Sequence, residues 1–191
     1  MTALKKQLNK AEVMDIFTAI ETRRSNGLVT DEPVASEDIE TILQAAAWAP
    51  THKRTEPWRF HVFKDEGRDV LAEAIKKDND KKAKKVYRAP VVIAVVSAPG
   101  RAKKNPPECE DHAAAAAATQ NMALAAHGLG LAGFWKSGSV TQYPAVKKLL
   151  EVDESYGDRI MAFFYIGHPN LELPQPERPT PDWRAKAKFY E

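Results

Sequence analysis

The stretch GLGLAGFWKSG, residues 128–138, decides how the chain folds. Its first six residues, GLGLAG (128–133), satisfy the spacing G-x-G-x-x-G of a dinucleotide-binding loop. That loop needs a strand before it and a helix after it, because the helix N-terminus supplies the amides that face the pyrophosphate. Here the order is reversed. Residues 109–127, with Ala113 to Ala118 followed by Met122, Leu124 and Ala125, read as a long helix, and LAGFWKSG (131–138) reads as a strand emerging from the glycines. The dinucleotide reading is therefore set aside. Gly128 is expected to cap the helix, with Gly130 and Gly133 easing the turn into the strand.

Other segments fall into place around this helix-to-strand junction. APVVIAVVSAP (89–99) is a β-branched run bounded by prolines, which predicts a central strand covered on both faces. RIMAFFYIG (159–167) predicts another buried strand, and WRFHVF (58–63) alternates at period two like a strand with one covered face. Val13, Ile16, Phe17 and Ile20 form the apolar stripe of a first helix over 12–24, which ends at Arg23, Arg24 and Ser25. Ser36 is expected to cap a second helix with Glu37 and Asp38 in its first turn, Ile39, Ile42, Leu43 and Ala46 on its buried stripe, and Pro50 stopping it. A helix over 67–86 carries Lys76, Lys77, Lys81, Lys82, Lys84 and Lys85, interrupted by Asp78 and Asp80, and reads as a solvated face. RAKKNPPE is a loop and PAVKKLLEV a short helix. From His168 the prolines at 169, 174, 176, 179 and 181 forbid a helix, while Leu171, Leu173, Trp183, Phe189 and Tyr190 predict that residues 168–191 pack along a neighbour.

Composition bounds the function. At 191 residues the chain fits a single domain, 1–191, and its 43% hydrophobic and 28% charged residues are ordinary globular usage. Lys plus Arg is 28 against 26 for Asp plus Glu, a net charge of +2, too small to draw nucleic acid by bulk electrostatics. Any anion site must be local. No apolar run suits a bilayer, the N-terminus has no secretory pattern, and the lone Cys109 forms no internal disulfide, so a reducing cytoplasm is the expected setting.

Three polar clusters sit at the ends of buried elements. Arg23, Arg24 and Ser25 close the first helix; APTHKRTEPW (49–58) sets His52, Lys53 and Arg54 in a frame of two prolines; Trp135, Lys136 and Ser137 end a strand. Taken singly, Arg23 and Arg24 need only the carbonyls of a helix end to explain them. Together the clusters carry donors for phosphate, hydroxyls and heterocycle edges, and predict one pocket. CEDH (109–112) invites a metal or thiol reading, but no second ligand pair appears at a recognisable spacing, and acids at a helix start need only the macrodipole.

The ordered set RRS, EPVASEDIETILQAAAWAP, THKRTEPWRFHVF, GLGLAGFWKSG and FYIGHP, spanning about residues 12–170, resembles the nitroreductase family of FMN enzymes, nearest to its short bacterial members. The resemblance implies an α+β fold, a mixed sheet flanked by helices, built as an intertwined homodimer with FMN at the subunit interfaces and the proline tail reaching across the partner. It assigns Arg23, Arg24 and Ser25 to the phosphate and ribityl side, Trp48 and His52 to a second segment supplied by the other subunit, and Trp135, Lys136 and Ser137 to a third. Trp48 stands where close relatives carry Arg, and Glu56 where Gln is usual; Arg178 is a further candidate for the phosphate. The implied activity is a ping-pong reaction in which NAD(P)H and then a nitroaromatic, quinone or similar acceptor use one cavity, with Lys136 as the cation near the ring. The alternative is an FMN-binding protein with little turnover, a sensor or store. The absence of a nucleophilic triad or metal spacing suits either, since the cofactor carries the chemistry.

Overall fold

A computed structural model describes residues 14–100 and 106–190. Val13, the first ten residues and the RAKKN part of the expected loop lie outside the described residues. Four strands form one sheet in the order β1-β2-β4-β3: β1 (Trp58–Lys64), β2 (Val91–Ser97), β3 (Ala132–Lys136) and β4 (Arg159–Gly167). All three pairings are antiparallel. The expectation of a mixed sheet is corrected accordingly: the parallel contact is an isolated bridge, Ser25 to Gly133, which lays the segment after the first helix against β3.

Strand β2 carries the architecture. All seven of its residues are buried, as its β-branched run predicts. Alternation sends Val92, Ala94 and Val96 into one core and Val91, Ile93 and Val95 into the other. The first core is covered by α3 (Gly67–Lys76), α4 (Asp80–Ala83), the 3-10 turn Lys84–Arg88 and α6 (Pro144–Leu149). The second is covered by α2 (Ser36–Ala47) and α5 (Glu108–Gly128). The result is an α+β, helix-sheet-helix arrangement. A slip in register between Val95 and Val96 keeps β4 facing both cores.

Several expectations are corrected in detail. Ser36 is the first residue of α2, not its cap; Ala35 holds that position, and Ser36 Oγ accepts from Lys64 Nζ at 2.9 Å. The helix expected over 67–86 is broken, because Asn79 is extended and its side chain accepts from the Lys82 amide at 3.0 Å, starting α4 anew. Gly128 is the last residue of α5, and the left-handed position is Gly130, φ +77°. There the Gly130 amide donates to His127 O at 2.9 Å and the Leu131 amide to Ala126 O at 2.9 Å, the paired bonds of a Schellman turn. The helix-to-strand junction is thus closed by backbone geometry, without a ligand.

Helix α1 (Ile16–Thr22) starts where the Asp15 carboxylate accepts from the Phe17 and Thr18 amides at 3.0 and 3.1 Å. Its predicted stripe is not buried within the chain. Ile16, Phe17 and Ile20 are exposed, Phe17 at 79%, and Ala19 is the buried residue, because α5 covers one side of α1 and no described residue covers the other. Helix α5 buries Ala114, Ala115, Ala118, Met122 and Ala126 on one side and leaves its flanks half-buried. The described part of the tail, 168–190, holds no α-helix, and its Leu171, Leu173, Trp183, Phe189 and Tyr190 are exposed.

A Cβ built on Gly133 would lie 2.7 Å from Phe164 Cζ and 2.9 Å from the Tyr165 carbonyl, so β3 accepts no side chain where Ser25 bridges it. Gly133→Ala is expected to cost about 1–3 kcal/mol of stability by overpacking, measured by urea unfolding; a change below about 0.5 kcal/mol, the scale of an ordinary surface substitution, would show that the site can relax.

Candidate active site

A cleft of about 350 Å³ opens where α1, the end of α5, the start of β3 and the tail meet. Thr22, Arg23, Arg24 and Asn26 line it from the first segment, His127 from the last turn of α5, Gly130 to Gly133 from the turn into β3, and Gln175 from the tail. Asn26 Nδ2 donates to Gln175 Oε1 at 2.8 Å, tying tail to floor. The Schellman turn fixes both His127 and Gly133, so the sequence that ends the helix also shapes the cleft.

The cleft is cationic. Burial, then the fields of Arg178 and Arg24, hold the Arg23 guanidinium below its ordinary value, so three guanidinium groups share this end of the molecule. Arg24 Nη1 donates to the carbonyls of Glu21 at 2.6 Å and Arg23 at 3.0 Å. Among the described residues no carboxylate forms an ion pair with Arg23, Arg24 or Arg178. His127 Nε2 meets Thr22 Oγ1 at 2.8 Å, and its pKa is lowered by burial and then by Arg23 and Arg24. A donor-rich pocket without its own counter-charge suits an anion such as a phosphate. His127 was not singled out in the sequence; the signal for it is a last-turn histidine one residue before the glycines.

The remaining predicted site residues lie elsewhere in the single chain. Trp48 caps α2 and is 69% exposed. His52, in the 3-10 turn His52–Arg54, is hydrogen-bonded through Nδ1 to Glu110 Oε2 at the start of α5, and Thr55 Oγ1 donates to the buried Asp111 at 2.7 Å. Lys53, Arg54 and Glu56 all adopt positive φ, which explains the stiff frame between the prolines: the segment is a tight irregular turn pinned to α5. From Glu110 to His127 the helix rises roughly 26 Å at 1.5 Å per residue, so His52 and Arg23 do not share a pocket within one chain. Trp135 Nε1 donates to Met161 O at 3.1 Å, Lys136 is half-buried, and Ser137 is exposed. Lys136 follows Gly133 by three residues, about 10 Å along the strand. Hence Arg23 and Arg24 are brought together in the cleft and Ser25 is bridged to Gly133 in its wall, whereas Trp135, Lys136 and Ser137 follow along and past β3 outside the cleft lining, with Trp135 and Lys136 on opposite faces of the strand, and Trp48 and His52 stand apart.

The Nitroreductase family model matches residues 20–168. The chain belongs to the nitroreductase family. An Escherichia coli K12 relative of this nitroreductase-family chain, named "Putative NAD(P)H nitroreductase YdjA", is 32% identical over 171 residues, covering 83% of this chain and 91% of its own. A nitroreductase-like family protein from Bacillus cereus superposes with a TM-score of 0.80 at 28% identity, covering 95% of this chain and 98% of its own. A Desulfovibrio desulfuricans structure solved in complex with FMN matches with a TM-score of 0.70 at 33% identity, over 95% of this chain and 98% of its own. Among the described residues no helix is long and apolar enough to cross a membrane, and no cluster of three metal-ligating side chains forms.

Burial also lowers the pKa of His61 and His112, aided by Arg59 and Arg159 respectively. Each of these imidazoles, like His127, titrates lower in the folded than in the unfolded chain, so the unfolded chain takes the proton first. The stability they allow is present above the ordinary value of 6.5 and is lost as pH falls from there through the folded values. The thermal midpoint is therefore expected to fall as the solution is acidified from neutral pH, with a shallower slope in His112→Asn, which keeps a partner for Ser97 Oγ but takes up no proton. An unchanged slope in that variant would remove His112 from the account.

Proposed function

We propose that the protein is an FMN-dependent NAD(P)H oxidoreductase that reduces nitroaromatics, quinones or similar small acceptors and works as a homodimer. The observation that carries this reading is the cleft lined by Arg23 and Arg24, with Arg178 close enough for its field to reach Arg23, where none of the three has a carboxylate ion-pair partner among the described residues and Gly130 and Gly133 stand in the wall. The donor set fits a phosphate monoester: guanidinium groups give charge-assisted, bidentate bonds, and Gly130, with open space where a side chain would stand, leaves the backbone open to close approach. Membership of the family, the name of the E. coli relative and the FMN complex of the D. desulfuricans protein all support the same cofactor and reductant.

When bound, FMN supplies two-electron chemistry between a nicotinamide and an acceptor. The chain's own residues position it. Arg23, Arg24 and Arg178 hold the phosphate, and Ser25 is set against β3 by its bridge to Gly133. Trp135 is pinned through its indole to Met161 O, which fixes the strand edge along which a ring would lie. Lys136, the next residue and the last of β3, would bring a positive charge about 10 Å along the strand from Gly133, to stabilise negative charge on a ring held near that end.

The homodimer accounts for what one chain leaves apart. Exposed Ile16, Phe17 and Ile20 on α1, Trp48 at the end of α2, and the aromatic tail are apolar surfaces that a second copy would cover. A partner with its α5 reversed would bring the segment Trp48 to His52 of one chain to the arginine cleft of the other, which the length of α5 forbids within one chain.

The freshly purified protein is expected to carry the yellow flavin spectrum, and anaerobic NADPH or NADH to bleach it. Flavin that binds but does not bleach would make the protein a binder or store; no flavin, with none taken up on addition, would overturn the proposal. Arg23→Ala is expected to weaken FMN binding about ten- to a hundredfold, the worth of a charged hydrogen bond, read by flavin fluorescence on titration. Sedimentation should report a dimer, and Phe17→Asp should shift it toward monomer and release FMN; a monomer that retains full flavin affinity would refute the two-chain site.

A further inference from the structure

Lys82, Lys85 and Arg88 recur every three residues in DKKAKKVYR (80–88). They run from α4 into the 3-10 turn Lys84–Arg88, whose three-residue repeat aims Lys85 and Arg88 from one edge. That edge meets the far end of β3. The Arg88 guanidinium lies 5.7 Å from the centroid of the Phe134 ring, which stacks on Tyr165 at 4.6 Å. Lys82 Nζ donates to Ser139 Oγ, just past β3, and lies 5.6 Å from the Tyr143 ring. Lys136 stands two residues beyond Phe134 on the same face of the strand. Burial, then Lys85, Arg88 and Lys82, lower its pKa, consistent with their closeness.

These four cations form no ion pair among the described residues, whereas neighbouring Lys84 pairs with Asp80 at 3.3 Å. Asp78 is an acidic group near this edge, its field reaching the Tyr143 ring on which Lys82 rests. A solvated lysine face would scatter its charges and pair them along the helix. Here three recur on one edge, and two rest on aromatic rings that hold them over the end of β3, opposite the arginine cleft at its start. A charge cluster so built suits a dianion.

We propose that Lys82, Lys85 and Arg88 recognise the 2′-phosphate of NADPH, making NADPH the preferred reductant. The inference rests on the oxidoreductase reading above. NADH and NADPH differ by that one phosphate, which carries about −1.5 to −2 charges at neutral pH, so a cation cluster beyond Lys136 discriminates them where the reacting ring cannot.

The test compares the FMN-loaded enzyme with the double variant Lys82→Ala/Lys85→Ala, measuring kcat/KM for NADPH and NADH. Wild type is expected to favour NADPH by at least about tenfold, and the variant to lose about tenfold or more with NADPH while NADH stays within about twofold. Lys85→Arg, which keeps the charge, should retain the preference. Equal losses with both nicotinamides, or no preference in wild type, overturn the proposal. A second measurement needs no flavin: calorimetric titration with 2′,5′-ADP and with 5′-AMP. Tighter binding of 2′,5′-ADP, lost in the double variant, supports the site even in a protein that takes up no FMN, in which case the oxidoreductase reading fails alone. Equal affinity for the two nucleotides, or a preference the double variant keeps, sinks the site whatever the flavin does.

Discussion

Strand β2 is buried at every residue, and that constraint organises the molecule. A strand with no solvent face requires an apolar layer on each side, so the chain must supply helices to both. It does so by sending α2 and α5 to one face and α3, α4 and α6 to the other. Each strand exit then opens at the rim between a helical layer and the sheet. The arginine cleft and the lysine cluster lie at two such rims, at opposite ends of β3. The core contributes no chemistry of its own; it fixes the distance between two charged ends.

The parts of the fold legible in the sequence are those set by local pattern. The β-branched run of β2 gave its double burial, and the helix-before-glycine order gave the direction of the junction at 128–133. Details that depend on a single side chain's alternatives were not legible. Asn79 breaks the lysine-rich helix by capping Lys82, which a periodicity argument passes over because lysines continue on both sides. The left-handed position fell to Gly130 and not Gly128 because the helix runs one turn residue further before its carbonyls are satisfied. The antiparallel pairing of all four strands was likewise hidden, since an alternating order of helices and strands fits either direction.

The candidate site divides in the same way. Arg23 and Arg24 were legible only beside the other polar clusters at element ends, since alone the carbonyls of a helix end explain them, and they line the cleft. His127 was missed because a lone histidine in an alanine helix carries no pattern. The stripe of α1 was legible as apolar, and its Ile16, Phe17 and Ile20 are exposed in the chain: periodicity reports which face is apolar, not whether this chain covers it. Trp48 and His52 illustrate the limit most clearly. The resemblance assigns them to a segment supplied by the other subunit, and in the single chain they stand a helix length from the arginine cleft; no periodicity or spacing in one sequence carries that distance.

The turn at His52 to Glu56 has a mechanical consequence. Lys53, Arg54 and Glu56 sit in left-handed backbone that costs an L-residue about 1–2 kcal/mol each, and the bonds of His52 to Glu110 and Thr55 to Asp111 hold them there. The loop is therefore a wound spring with two catches on α5. Undoing a catch returns part of the stored cost, so detachment of this segment is easier than its anchoring bonds alone suggest, and it leaves the rigid helical layer beneath undisturbed.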